Sequence, residues 1–446
     1  NPEESTYSHS AIIRMVSEDA SKPVRTLNVH YVAPGPAYTN GNIVVDIPNV
    51  RKAVPLFILM RALGLTSDKD IIRHIVLDIE KDKTMVERLR PCVHDAASIF
   101  TQETALNYIS SLTKYTTNVY ALQILMDYFL PNVGELNFSN KAFFIGHMVN
   151  KLLRVVMGRD LPTDRDSFHY KRVELPGTLM YDLFREYYVA QKRSIFLRFE
   201  KDIYVHHTRQ EGEKEIVNLD DSGIHKMIGD GYRDYFREKI LETGLRKAFK
   251  GNWGMTSHTK RDGIVQDVSR LSYNAYLSQL RKLNLPLDAS AKVVGPRLLH
   301  STQWGVIDPI DTPDGGNVGL HKHLALATRI TNGYSAEPMK KWLQEHGKIE
   351  ILDVSYPEFI YEQTKVFVNG IWLGFVYDPV QLLDEFKLQR RLSLIPVYTS
   401  ISFHRQENAI EIFTDGGRLC RPIFYTIKDG ISFQKAPEVI ASASWS

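Results

Sequence analysis

The sequence predicts an α+β, multidomain protein: mostly helical regions with small mixed or antiparallel sheets, closing in a C-terminal α+β region. Three observations predict it. At 446 residues the chain can form roughly two to four domains with cores of their own. Helical periodicity and short β-branched runs alternate along it instead of settling into one class. Hydrophobic content of 43% and charged content of 24% are those of an ordinary folded protein. No apolar run approaches a membrane span; residues 54–65, VPLFILMRALGL, are too short and contain Arg61.

Taken in order, residues 1–160 read as a mostly helical module with a small strand insert. Residues 8–19 are amphipathic, and 25–32 and 42–47 pair as strands around the PGPAYTNG loop. Helical periodicity then covers 55–64, 68–81, 101–112, 118–129 and 141–158, with Ile71, Ile72, Ile75, Leu77 and Ile79 as core. Residues 161–248 open on a mixed-charge loop, LPTDRDSFHYKR, whose simplest role is a salt-bridged domain junction. Two helices follow, 174–201 and 220–249, joined by the polar RQEGEKE connection, which reads as mobile. In 249–335, glycines break 251–262 into a loop, and 264–282 has helical spacing. In 336–446, a helix at 337–346 precedes strands 349–354, 365–368 and 371–377. Asn369-Gly370 marks a type I′ hairpin between the last two. Asp378 N-caps a helix over 379–392, and 395–404 with 409–414 form a second hairpin.

Two distant cysteines, Cys92 and Cys420, with no CxxC, exclude a zinc ribbon and fit a reducing compartment. Cys92 and His94 lack the further ligands a metal needs. The polar start, without initiator Met or signal peptide, and the end APEVIASASWS read as those of a piece of a longer protein.

Charge is concentrated in one tract. Residues 246–300 hold ten Lys or Arg against three Asp, while the chain as a whole is only +3. Such a step is the footprint of a polyanion partner; a helix pair that merely solvates its charge would show it too. The tract ends in the stiff, Pro/Gly/Asp-dense turn 308–319. Gly315, Gly316 and Gly319 have neither Walker nor GxGxxG spacing, so a nucleotide loop is disfavoured. Asp308, Asp311, Asp314, His321 and His323 could form a hydrolase metal cluster, although their spacing is not that of an EF-hand. A stiff turn whose carboxylates neutralise nearby Arg and Lys is the simpler role.

Three phrases carry a resemblance: GNWG at 251–254, RDGIVQDVSRLSYNAYLSQLRK at 261–282, and PRLLHSTQWGVIDPIDTPDGGNVGL at 296–320. They resemble the fork region of the second-largest, beta-type subunit of multisubunit DNA-directed RNA polymerase. HSAIIRMVSEDASKPVRTLNVHY, RPCVHD and QETALNYI resemble its lobe, and FTDGGRLCRP its external region. The family's two glutamates in the turn are here Asp311 and Asp314, a divergence that suggests a large DNA virus. The resemblance implies a lobe at 1–160, the C-terminal half of the protrusion at 161–248, a fork at 249–335 and an external region at 336–446.

It also implies a role in DNA-templated RNA synthesis, as part of the cleft wall beside downstream DNA and the RNA–DNA hybrid. His258, Lys260, Arg261, Gln266, Arg270, Arg281, Lys282 and Arg297 are then the nucleic-acid-binding candidates. Lys260 and Arg261 would hold downstream strands apart, and Arg270, Arg281, Lys282 and Arg297 would line the hybrid side. Asp311, Pro313, Asp314 and Gly315 form the structural turn. The magnesium-holding NADFDGD motif of the largest subunit does not occur here, so this part is expected to bind no cofactor and to be inactive alone. Expected partners are the largest and the smaller polymerase subunits, template DNA and the hybrid, with no membrane. The expected location is intracellular: nucleus or cytoplasm, or virus factory or virion if the source is viral. The rival classes are a free-standing nucleic-acid-binding protein and a metal-dependent hydrolase.

Overall fold

The computed structural model describes residues 7–15, 24–33, 41–212, 221–236, 238–257, 259–346, 349–352, 357–423, 426–427 and 430–431. His258, most of the PGPAYTNG loop and much of the 209–215 connection lie outside them. The chain divides into two compact units, Asn1–Thr163 with Asn332–Asp415, and Asp164–Thr331 with Gly416–Ser446.

The first unit starts with an antiparallel sheet in sequential order, β1 (Tyr7–Met15), β2 (Arg25–Val32), β3 (Asn42–Asp46) and β4 (Val54–Pro55). The amphipathic segment that begins at residue 8 is a strand as far as Met15. Ala11, Ile13 and Met15 turn inward while Ile12 is 65% exposed, the two-residue period of a half-buried edge. Helices α1 (Leu56–Ala62), α2 (Asp68–Val76), α3 (Lys83–Asp95), α4 (Gln102–Ser111), α5 (Asn118–Asp127) and α6 (Phe138–Val156) follow. α3 is a helix that sequence reading passed over, because Pro91 sits inside it.

Every residue of α1 is buried, including Arg61, which is 1% exposed. Its guanidinium donates to the Ala96 carbonyl at 2.8 Å, to the Ile99 carbonyl and to the Asp68 carboxylate. Lys141 is likewise fully buried, and its Nζ donates to the carbonyls of Leu125, Met126 and Glu135 at 2.7, 3.2 and 3.2 Å. These cations serve the fold, closing orphan carbonyls at helix and turn ends.

At residue 164 the chain enters the second unit: α7 (Pro176–Gly212), α8 (Asp221–Tyr235), α9 (Ile240–Phe249), α10 (Tyr273–Leu280), β5 (Lys282–Asn284), β6 (His321–His323) and β7 (Arg329–Ile330). It returns to the first unit as α11 (Glu337–Glu345), β8 (Glu350–Ile351), α12 (Pro357–Ile360), β9 (Thr364–Val368), β10 (Ile371–Val376), α13 (Pro379–Arg391), β11 (Ser400–His404) and β12 (Ala409–Phe413). Asn369 and Gly370 take φ of 50° and 79°, both positive as a type I′ turn requires. Both predicted hairpins form. A parallel pairing of β12 with β9, which no local signal announces, joins them into one sheet of order β11-β12-β9-β10-β8.

That sheet has two covered faces. Val366, Val368, Ile410 and Ile412 pack with Leu343, Leu382 and Phe386 of α11 and α13. Phe367, Trp372 and Phe375 instead join the core built by α1–α6. The last strands, β13 (Leu419–Cys420), β14 (Thr426–Ile427) and β15 (Gly430–Ile431), belong to the second unit, where β13 pairs with β7.

Candidate nucleic-acid interface

The basic tract lies within the second unit. α7 and α9 bury Leu183, Tyr187 and Ala248 against one another, with Trp253 from the following loop. Residues 253–261 then close on themselves: the Arg261 N–H donates to the Trp253 carbonyl at 3.2 Å. Glu186 of α7 anchors the loop, accepting from the Thr259 hydroxyl at 2.7 Å and the Thr256 N–H at 3.3 Å. A cleft of about 850 Å³ opens beside it, lined by Lys239 at the N-cap of α9, by Lys247 of α9 and by Trp253, Lys260 and Asp262. Lys260 is exposed and its ammonium has no hydrogen bond or ion pair among the described residues. Arg261 instead pairs with Glu174.

The expected helix over 264–282 is only α10. Val265, Val268 and Leu271 are 36%, 46% and 95% exposed, so their apolar period has nothing to pack on. The helix begins where Ser272 caps it, its hydroxyl accepting from the Ala275 N–H at 3.1 Å. The bends before it place Gln266 against the Gly263 carbonyl at 2.9 Å, with Gln279 donating to Gln266 at 2.9 Å. Arg270 is exposed, its guanidinium 5.3 Å from the Tyr276 ring.

β5 and β6 pair Lys282 with His323, Leu283 with Lys322 and Asn284 with His321. Alternation therefore puts Lys282, Asn284, His321 and His323 on one face. Burial lowers the His321 pKa from its ordinary value, and Lys282 and His323 push the same way. Lys322 turns to the other face, 7% exposed; burial lowers its pKa, Lys171 adds to this, and Asp166 opposes it.

Two arginines expected along the hybrid are occupied elsewhere. Arg281 donates to the carbonyls of Leu324, Ala325 and Leu326 at 3.4, 2.5 and 3.4 Å. Arg297 donates to Gly316 and Val318 at 2.6 and 2.9 Å and to Ala289 and Ala291 at 3.0 and 3.3 Å. Each guanidinium fork clamps a loop, Arg281 through Nε and Nη2 and Arg297 through Nη1 and Nη2.

The turn is accordingly held by carbonyls, where its carboxylates had been expected to hold the cations. Asp308 accepts from the N–H groups of Ile310 and Asp311. Asp311 accepts from the Ser278 hydroxyl at 3.0 Å and lies 3.3 Å from His323. Asp314 stands at the N-cap of the 3₁₀ turn Gly315–Asn317 without a side-chain cap bond, after Pro313. Thr312, which sequence reading passed over, stitches the turn by donating to the His321 carbonyl at 3.0 Å and accepting from the Gly319 N–H at 2.9 Å. Gly319 has φ of 71°, and a Cβ there would sit 2.3 Å from the Arg297 carbonyl oxygen, so only glycine fits. The five Asp and His weighed as a metal cluster do not converge, and no three such groups among the described residues could hold a metal ion. The mixed-charge loop at 164–172 is tied down within the second unit: Asp164 holds His300 at 2.6 Å, and the Thr302 hydroxyl accepts from the Phe168 N–H at 2.9 Å.

Comparison with known proteins defines the class first. Residues 37–174, 266–330 and 366–426 match RNA polymerase Rpb2 domains 2, 3 and 4, in chain order. The chain belongs to the family of second-largest subunits of DNA-directed RNA polymerases. Among relatives, it is 35% identical over 435 residues to DNA-directed RNA polymerase II subunit RPB2 of Meyerozyma guilliermondii, covering 95% of this chain and 33% of that one. It is 34% identical to DNA-directed RNA polymerase II subunit 2 of Arabidopsis thaliana (94% and 34% covered). It is 29% identical to DNA-directed RNA polymerase subunit 2 of Acanthamoeba polyphaga mimivirus (91% and 34% covered). The chain thus spans about a third of the length of these relatives.

Proposed function

We propose that the chain works in DNA-templated RNA synthesis, as part of the cleft wall of a multisubunit RNA polymerase. The observation that carries this is the unbroken kinship, over 95% of its length, with subunits named for that activity. The basic tract gives it a physical role. Exposed Lys260 lining the cavity of about 850 Å³, exposed Arg270, and Lys282 beside two histidines are cations left available to phosphates. Contacts of this kind hold a backbone whatever its sequence. Arg281 and Arg297 act one step back, fixing the loops that present them. The partners are the largest subunit, the smaller subunits, template DNA and the RNA–DNA hybrid. The bond-making magnesium belongs to the largest subunit, and this chain's part is to hold and steer the nucleic acid.

Affinity purification of the tagged protein from its source cell tests the assignment. Recovery of a larger polypeptide carrying NADFDGD, with promoter-independent RNA synthesis in the eluate, is the expected result. Tight DNA binding by the chain with no polymerase subunit recovered would replace this reading with that of a free-standing binder.

A further inference from the structure

The cavity beside α9 is larger, and more varied in its lining, than a backbone phosphate requires. Lys239 at the N-cap, Thr243 and Lys247 are spaced by four residues, so they share one face of α9. The floor is aromatic: Tyr187 and Trp253 are 7% and 6% exposed, and both line the cavity. Gly244 makes this floor possible, because a Cβ there would sit 2.3 Å from the Tyr187 ring. Met255, 45% exposed, adds an apolar wall. At about 850 Å³ the space is that of a small-molecule site.

The polar groups around this floor fall into two sets. Glu238 accepts from the Ser194 hydroxyl at 2.8 Å and pairs with Arg198, and Lys239 lies 3.6 Å from Glu242. By contrast, the Lys247 and Lys260 ammoniums, the Asp262 carboxylate and the Asn252 side-chain amide have no hydrogen bond or ion pair among the described residues. Four unanswered groups of three kinds therefore border one aromatic floor. Two cations suit a polyphosphate, a carboxylate suits ribose hydroxyls, and an amide offers both a donor and an acceptor to the edge of a base. The aromatic and thioether surfaces suit the base itself.

We propose that this cavity binds a free ribonucleoside polyphosphate, as a ligand that the chain holds without turning it over. The base lies against Trp253 and Met255, Asp262 accepts from the ribose, and Lys247 and Lys260 hold the phosphates. Lys260 is shared with the proposed function. Lys247, Asn252 and Asp262 are not, and the inference rests on them.

Photoaffinity labelling of the 446-residue protein in magnesium-free buffer tests this. Azido-ATP should label peptides carrying Tyr187, Trp253 or Met255, and ATP should protect them. Adenosine and inorganic triphosphate should each protect far less, since each supplies only part of the contacts. Lys247→Ala should weaken protection by ATP about fivefold. Asp262→Asn should narrow the preference for ATP over its dideoxy analogue. Both side chains are exposed and without partners among the described residues, so neither variant disturbs the fold. Labelling that is absent, that maps outside the lining, or that neither variant alters overturns the proposal. Protection by a single-stranded oligonucleotide without protection by ATP also overturns it, and leaves the cavity to a polymer strand.

Discussion

Cys92 lies fully buried on α3, and burial pushes its thiol up to about 12. The reactive species is the thiolate, so in native protein Cys92 should react with a disulfide reagent roughly three orders of magnitude more slowly than a free thiol. The measurement is the rate before and after denaturation, and rapid native labelling assignable to Cys92 contradicts the packing described. His74 and His147 carry the opposite sign of effect. Burial lowers both, and in His147 three cations add to it. The unfolded chain then binds protons more readily than the folded one below the ordinary value of 6.5. Stability is therefore full above that pH and falls as pH drops through the window beneath it. A thermal melt series should show this loss, and His147→Phe should flatten it; an unchanged slope in the variant counts against the buried position of the ring. Such charge states were not legible in sequence. The residues are visible there, but which cation faces which depends on a helix and a strand more than two hundred positions apart.

Among the elements, those whose signals are local were legible and those that need a partner were not. Asp378 caps α13, accepting from Val380 and Gln381 N–H at 3.0 Å, and Asp378→Ala should cost about 1 kcal/mol in chemical denaturation. The Asn369-Gly370 turn was equally readable, because its φ values are dictated by two side chains. By contrast, the apolar period of 264–282 promised a long helix, and only Tyr273–Leu280 forms. Period says which face could be buried; it does not supply the surface that buries it. The same limit hid the clamps. Arg281 and Arg297 look in sequence like any phosphate-binding arginine, and only the folded loops show the backbone carbonyls they hold. Arg297→Lys should therefore lower Tm, because an ammonium cannot reach four carbonyls in two directions. An unaltered melt with weakened nucleic-acid binding would return Arg297 to the interface.

At the scale of the whole chain, family and fold class were readable, because the diagnostic phrases are contiguous and stand in chain order. The joining of residues 1–163 with 332–415 into one unit was not, since it rests on β12 pairing with β9 and on Trp372 entering the helical core. The charge step at 246–300 survives folding in altered form. Its arginines divide between structure and surface, and on the proposed reading Lys260, Arg270 and Lys282 are the cations that meet a polyanion. The direct test is the lifetime of elongation complexes as salt is raised, in polymerase assembled with Lys260→Ala and Lys282→Ala together. Removing the two lysine–phosphate pairs together should reduce the slope of log stability against log salt by about 1.8 on duplex and about 1.4 on single strands, with the RNA sequence made unchanged. A slope and lifetime equal to those of the unaltered enzyme would contradict the claim that these lysines hold the nucleic acid.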